Sequence, residues 1–260
     1  DPNSPVPLGH DGYLKLWSQS GQKLLAEYIL IDEAQDLNPV MLKIIEEFEG
    51  QKVLVGDDFQ QIYSWRGAIN AMSINLHCDD MFLTKTFRFG NTLAMQANSV
   101  LNLLNSEKYI EASGEKKHLT SQPRITVNAH LFRKNENLLE EAYTLHKKDM
   151  KYYINDPGNN LLWAVEDFFR LQKGQYGCSQ TFQGFNSWKQ VLTVSQNDDH
   201  SSLRGFVKLF DRFDPEGILV ALKESKPFEE KIYPTLSTVH QAKGLEWGVV
   251  RLQDDFNLNY

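Results

Sequence analysis

Residues 29–36 read ILIDEAQD, three aliphatic side chains followed by Asp32, Glu33 and, three positions on, Asp36. Acids placed directly after a buried strand suit phosphate chemistry. One carboxylate can hold magnesium while its neighbour orients or deprotonates an attacking water. In that scheme Asp32 is the magnesium-side carboxylate and Glu33 acts on the water. The same letters also describe a strand that ends in a solvated helix cap, with Asp36 as the cap.

A second stretch, VGDDFQQIYSWRGA at 55–68, joins two acids, two glutamines, a tyrosine, a tryptophan and an arginine. Gln60 can hydrogen-bond a terminal phosphate or its water. Tyr63 and Trp65 offer ring faces, on which unstacked bases gain about 1–3 kcal/mol each. Arg66 can pair with phosphate. Alternatively, Tyr63 and Trp65 anchor the loop into the core, a common use of aromatic side chains.

The elements that must carry these residues alternate. LLAEYILI at 24–31 predicts a buried strand. Asn38-Pro39 opens a helix that runs to Gly50, and KVLVG at 52–56 predicts a second strand. AINAMSINL reads as a helix, MFLT at 81–84 as a strand, and 91–105 as a helix. ITVNAHLF at 125–132 is a strand, followed by helices over 138–146 and 161–172. From 173 to 231 periodicity weakens, which suggests a small accessory region. TLSTV and GVVRLQDD then restore the strand pattern around a turn, HQAKGLEW. Continuous apolar strands alternating with helices predict an α/β fold with parallel sheets covered on both faces, and ligands at the strands' carboxyl ends. Both DEAQD and GDDFQQ fall at such ends.

Composition narrows the classes. The 260 residues are 41% apolar with a net charge of −7, which argues against a uniformly basic nucleic-acid coat while leaving room for a local basic groove. Residues 1–110 hold 8 basic against 14 acidic side chains, so the acid excess lies in the first part of the chain, where carboxylates suit a metal or phosphate-handling site. Cys78 and Cys178 have no CxxC spacing, which fits a reducing compartment and no structural zinc. Without a signal pattern or an apolar run of membrane length, the sequence predicts an intracellular protein with no membrane partner, cytoplasmic in a bacterium or nuclear in a eukaryote.

ILIDEAQD, VGDDFQQIYSWRGA, LTKTFRFG and STVHQAKGLEW resemble, in order, motifs II, III, IV and V of UvrD-type superfamily 1 DNA helicases. HDGYLKLW, TFRFG and QDDF resemble the F-box DNA helicase branch most closely. The resemblance implies a RecA-like fold, with incomplete 1A and 2A domains and a small, mostly helical 2B insertion. On this reading 1A ends near residue 80, 2A covers 81–148 and 232–260, and 2B covers 149–231. It further implies ATP and Mg2+ as cofactors and single-stranded DNA as partner. Asp32 matches the magnesium ligand, Glu33 the catalytic glutamate and Gln60 the link between γ-phosphate and DNA. Arg88 matches an arginine finger and Glu246 the contact to the nucleotide sugar. Tyr63, Trp65, Arg66 and His240 match DNA contacts. Arg133 and Asn135 resemble a further DNA-contacting motif, although Asn135 also reads as a helix cap. By itself, His240 would read as a core histidine on an apolar strand.

The sequence contains no GxxxxGK[ST] phosphate loop. The resemblance therefore implies an internal piece of a longer helicase, whose phosphate loop lies on an N-terminal segment of the same or another chain. The parent would translocate 3′ to 5′ along DNA in repair or recombination, and this piece alone would be inactive. The alternative is a non-catalytic DNA- or protein-binding module built on a helicase scaffold.

Overall fold

The computed structural model describes residues 10–64, 67–74, 79–113, 127–197, 201–225 and 233–256. The chain divides into two compact units, Asp1–Thr120 and Ser121–Tyr260.

In the first unit, helix α1 (His10–Gln19) precedes strand β1 (Tyr28–Ile31), helix α2 (Pro39–Glu47) and strand β2 (Gln51–Leu54). β1 and β2 pair in parallel, Tyr28 opposite Gln51 and Ile31 opposite Leu54. The crossover helix starts where the sequence says it should. Asn38 accepts a hydrogen bond from Met41 N at 2.9 Å, and Pro39 occupies the first turn, where its missing N–H costs nothing. Leu42 and Ile45 then face Ile31, Ala34, Leu37 and Ala71 in a small apolar cluster. The opposite face of β1 is not covered: Tyr28 is 61% and Leu30 68% exposed.

Two elements differ from expectation. AINAMSINL forms a 3-10 turn at Ala71–Ser73, because the Asn70 side chain accepts from Met72 N and so competes with a regular helix; residues 75–78 lie outside the described residues. MFLT is not a strand. The short strand β3 (Lys85–Thr86) follows it and pairs in parallel with β4 (Glu111–Ala112), with α3 (Asn91–Leu103) between them.

The second unit holds a four-stranded parallel sheet in the order β6-β7-β5-β8, formed by β5 (Ala129–Phe132), β6 (Tyr153–Ile154), β7 (Thr235–Thr238) and β8 (Val250–Leu252). All four residues of β7 are buried. Helices α4 (Asn135–Lys147), α5 (Asn160–Gln172), α6 (Trp188–Val194), α7 (Ser201–Arg212) and α8 (Pro215–Lys223) surround one large core. Leu138, Leu139, Val165, Phe206, Ile218 and Leu236 are among its fully enclosed side chains. The stretch whose periodicity weakens in the sequence thus contains ordered helices. Its rings interlock: Phe168 meets Trp188 edge-on at 4.8 Å between centroids, and Phe182 meets Phe206 at 5.6 Å. Parallel sheets flanked by helices in both units make the fold α/β and RecA-like.

Candidate functional site

The two acidic loops leave neighbouring strands side by side. Val55 N donates to Ile31 O at 2.8 Å, and Ala34 N donates to Val55 O at 3.0 Å, so β-type pairing continues past the ends of β1 and β2. Between those bonds the chain takes a sharp turn. Glu33 adopts φ 53°, ψ 41°, a left-handed conformation that costs a non-glycine residue about 1–2 kcal/mol. The turn leaves Asp32 and Glu33 exposed, and Asp32 Oδ1 accepts from Glu33 N at 2.9 Å.

What holds that turn is Gln35, a residue to which the motifs assign no role. It is 1% exposed. Its Nε2 donates to Glu33 Oε2 at 2.5 Å, its Oε1 accepts from Asp57 N at 3.1 Å, and its backbone carbonyl accepts from Gln61 Nε2 at 3.0 Å. Gly56 makes room for it, since a Cβ there would lie 2.5 Å from Gln35 Oε1. A buried amide is tolerated only when its donors and acceptors are matched, and here the matching groups come from both loops. The signal in the sequence is the pairing of a glutamine among acids with a glycine at the next strand's end.

Beyond Gly56, Asp57 organises a 3-10 turn over Asp58–Gln60. Its carboxylate accepts from Phe59 N at 3.0 Å and from Gln60 Nε2 at 2.8 Å. Glu33 and Gln60 are therefore joined through Gln35 and Asp57. Asp58 accepts from Asn70 Nδ2 at 3.0 Å and forms an ion pair with Lys108, which lies between α3 and β4. Burial pushes the Asp58 carboxyl up, but the hydrogen bonds from Lys108 and Asn70 and the Lys108 charge outweigh it, leaving it below the ordinary range. The loop returns through Ile69 N, which donates to Leu37 O at 2.6 Å. Tyr63 is half-buried on this loop, whereas Trp65 and Arg66 lie outside the described residues.

Arg88 is exposed just after β3, where its backbone N donates to Thr86 Oγ1 at 3.3 Å. Asp36 does not cap α2; Asn38 does.

In the second unit the expected residues occupy two places. Arg133 and Asn135 lie where β5 gives way to α4. Asn135 is the first helical residue rather than the cap. Capping comes from far along the chain: Asp255 Oδ2 accepts from Arg133 N at 2.9 Å, Lys134 N at 3.0 Å and Asn137 Nδ2 at 3.0 Å. The QDDF stretch thus has a visible structural role, with Gln253 Nε2 also 2.8 Å from His130 Nδ1. Burial, then the nearby Arg251 charge, hold the His130 imidazole below its ordinary value.

His240 is half-buried on a short helix, α9 (Val239–Ala242), that follows β7 directly, so it is not on a strand. Thr238 Oγ1 accepts from Gln241 N to start that helix. Asn155 Nδ2 donates to Ser237 Oγ and to Gln241 O, both at 3.0 Å, tying β6 to the same turn. Gly244, with φ +80°, ends it, and Glu246 is exposed just beyond.

Among the described residues no cluster of three or more His, Cys, Asp or Glu side chains could enclose a metal. A magnesium ion carried by one carboxylate, phosphate oxygens and water needs no such cage, and the exposed Asp32 at a strand end fits that requirement. No described helix is long and apolar enough to cross a membrane.

Comparison with known proteins adds a family. Residues 19–79, which include both acidic loops, match the UvrD/REP helicase N-terminal domain. The chain is 29% identical to F-box DNA helicase 1 of Gallus gallus over 95% of its own length and 26% of that protein's. It is 28% identical to F-box DNA helicase protein 1 of Schizosaccharomyces pombe, over 96% of the chain and 32% of the relative. A probable DNA helicase II homolog of Mycoplasma pneumoniae is 30% identical over 84% of the chain and 29% of the relative. The chain thus spans between a quarter and a third of the length of these relatives.

Proposed function

The chain is a relative of UvrD-type helicases, and of F-box DNA helicases among them, and from this premise we propose that it forms part of an ATP-dependent translocase acting on single-stranded DNA. The observation that carries the proposal is the placement of Asp32 and Glu33 at the carboxyl end of a parallel strand, joined by hydrogen bonds to the loop that bears Gln60 and Tyr63. Ligands of open parallel sheets occupy that end.

In this mechanism Asp32 would hold magnesium, and the exposed Glu33 carboxylate, fixed by Gln35, takes the proton of the attacking water. Magnesium supplies charge neutralisation on the phosphates when bound. Gln60, oriented by Asp57, binds the terminal phosphate or its water. Because Gln60 and Tyr63 share one loop, a change at the phosphate moves a residue facing DNA. Arg88 stabilises charge developing on the γ-phosphate. In the second unit Glu246 serves the nucleotide sugar, while Arg133, Asn135 and His240 serve the DNA path. Direction is 3′ to 5′ by the same resemblance, and the biological setting is repair or recombination.

The test is Glu33→Gln in the complete protein that contains this chain. We expect DNA-stimulated ATP hydrolysis to fall by at least about a hundredfold while nucleotide and single-strand binding persist, as for removal of a proton-accepting group. Undiminished turnover would remove Glu33 from the chemistry. Retained DNA binding in a wild-type protein with no turnover at all would favour the non-catalytic module. Trp65→Ala should weaken single-strand affinity by about 1–3 kcal/mol if a base stacks on it.

A further inference from the structure

Gln35 is the largest fully buried polar side chain among the described residues of the first unit, and its hydrogen bonds reach both candidate functional loops. A side chain that only filled the core would not need an amide. An apolar residue of similar size would avoid the cost of desolvating one, which is about 1–3 kcal/mol in proteins. The amide is also matched by unusual local features. The Glu33 backbone is left-handed, which brings its carboxylate back over its own turn to meet Gln35 Nε2. Gly56 lacks the Cβ that would collide with Gln35 Oε1, so β2 can end close enough for Asp57 N to donate to that oxygen.

The geometry points to Gln35 as a positioning residue with two separable roles. Its N–H fixes the Glu33 carboxylate in one orientation. Its carbonyl fixes Asp57, whose own carboxylate orients Gln60. A carboxylate that engages a water loses part of its claim on the Gln35 N–H. The amide can then shift, and Asp57 and Gln60 shift with it. Gln35 thereby reports the state of Glu33 to the post-β2 loop. The catalytic part of this inference rests on the proposed role of Glu33.

Two variants of the complete protein separate the two roles. Gln35→Glu keeps an acceptor for Asp57 N and replaces the amide donor to Glu33 with a second carboxyl group. Gln35→Met keeps the volume and loses both. We expect each to lower the kcat for DNA-stimulated ATP hydrolysis by roughly ten- to a hundredfold with little change in KM for ATP, the scale of misplacing a reacting group. Hydrogen–deuterium exchange without nucleotide reads the link to Asp57. The amides around that residue should stay protected in Gln35→Glu and exchange faster in Gln35→Met. Thermal melting confirms that each variant is folded, and Gln35→Glu stands if Gln35→Met is not.

A wild-type kcat in folded Gln35→Glu would overturn the positioning role. Unchanged exchange at Asp57 in folded Gln35→Met would overturn the link between loops. If Glu33→Gln retains full turnover while the exchange pattern follows expectation, the link stands and the catalytic reading of Glu33 falls.

Discussion

The two units handle their sheets differently. In the second, β7 is buried along its whole length and helices enclose a large aromatic core around it. In the first, β1 leaves Tyr28 and Leu30 in solvent, and the buried cluster is small. Nevertheless, the first unit carries the acidic pair, the glutamine and the tyrosine to which chemistry is assigned. Its loops are held less by apolar burial than by polar matching, with Gln35, Asp57, Asn38 and Asn70 each tying backbone or side chain in place. A region held by hydrogen bonds can exchange partners at small cost, whereas a packed core changes all at once.

Core truncation gives the largest expected difference between the units. Leu139→Ala should destabilise the second unit by about 2–5 kcal/mol, and Leu42→Ala should cost the first unit less, because its cluster borders solvent and can relax. Urea unfolding followed by probes in each unit measures both; equal costs would erase the contrast. Next comes Asp255→Ala, which strands the N–H groups of Arg133 and Lys134 at the start of α4. A loss of about 1–2 kcal/mol confined to the second unit is expected, on the scale of other capping losses.

The third prediction concerns acid. His130 titrates lower in the folded protein than in the unfolded chain, so its neutral form is favoured by folding. Its contribution is complete above the ordinary value near 6.5 and is lost as pH falls through that value toward the folded one. Melting of the second unit should decline over this window, and His130→Asn should flatten the decline. The smallest effect is assigned to Lys108→Met. Its ion pair with Asp58 is partly exposed, so stability should change by at most about 1 kcal/mol, and less at high salt.

Much of this is legible in the sequence where one residue acts through its neighbours. Asn38-Pro39 announces α2, an apolar run ending in acids announces β1, and Asp32 and Glu33 stand at the end so marked. Illegible parts depend on distant chain. Gly205 looks like a loop residue in SSLRGFVKLF, yet it sits inside α7, where a Cβ would strike the Glu136 carboxylate. Gln35 looks like one more polar residue in an acidic motif until Gly56 and Asp57 approach it. Asp255 could not be known as the cap of α4, since 118 residues separate it from Asn137. The helix expected for AINAMSINL fails for a different reason, because Asn70 supplies a local alternative to helical bonding.

The strand order of the second unit bears on how the protein is made. β7 stands between β6 and β5, although both of those strands precede it by a long stretch of chain. As the chain leaves the ribosome, β5 and β6 emerge with no partner between them, and the strand that joins them arrives only near residue 235. Sheets closed by such distant segments form late and slowly, with apolar edges open to other chains in the interval. Helices α4, α5 and α8 can gather before that moment, since each is a local structure. The sheet, and with it the turn that carries His240 and Glu246, waits for nearly the whole unit to be synthesised.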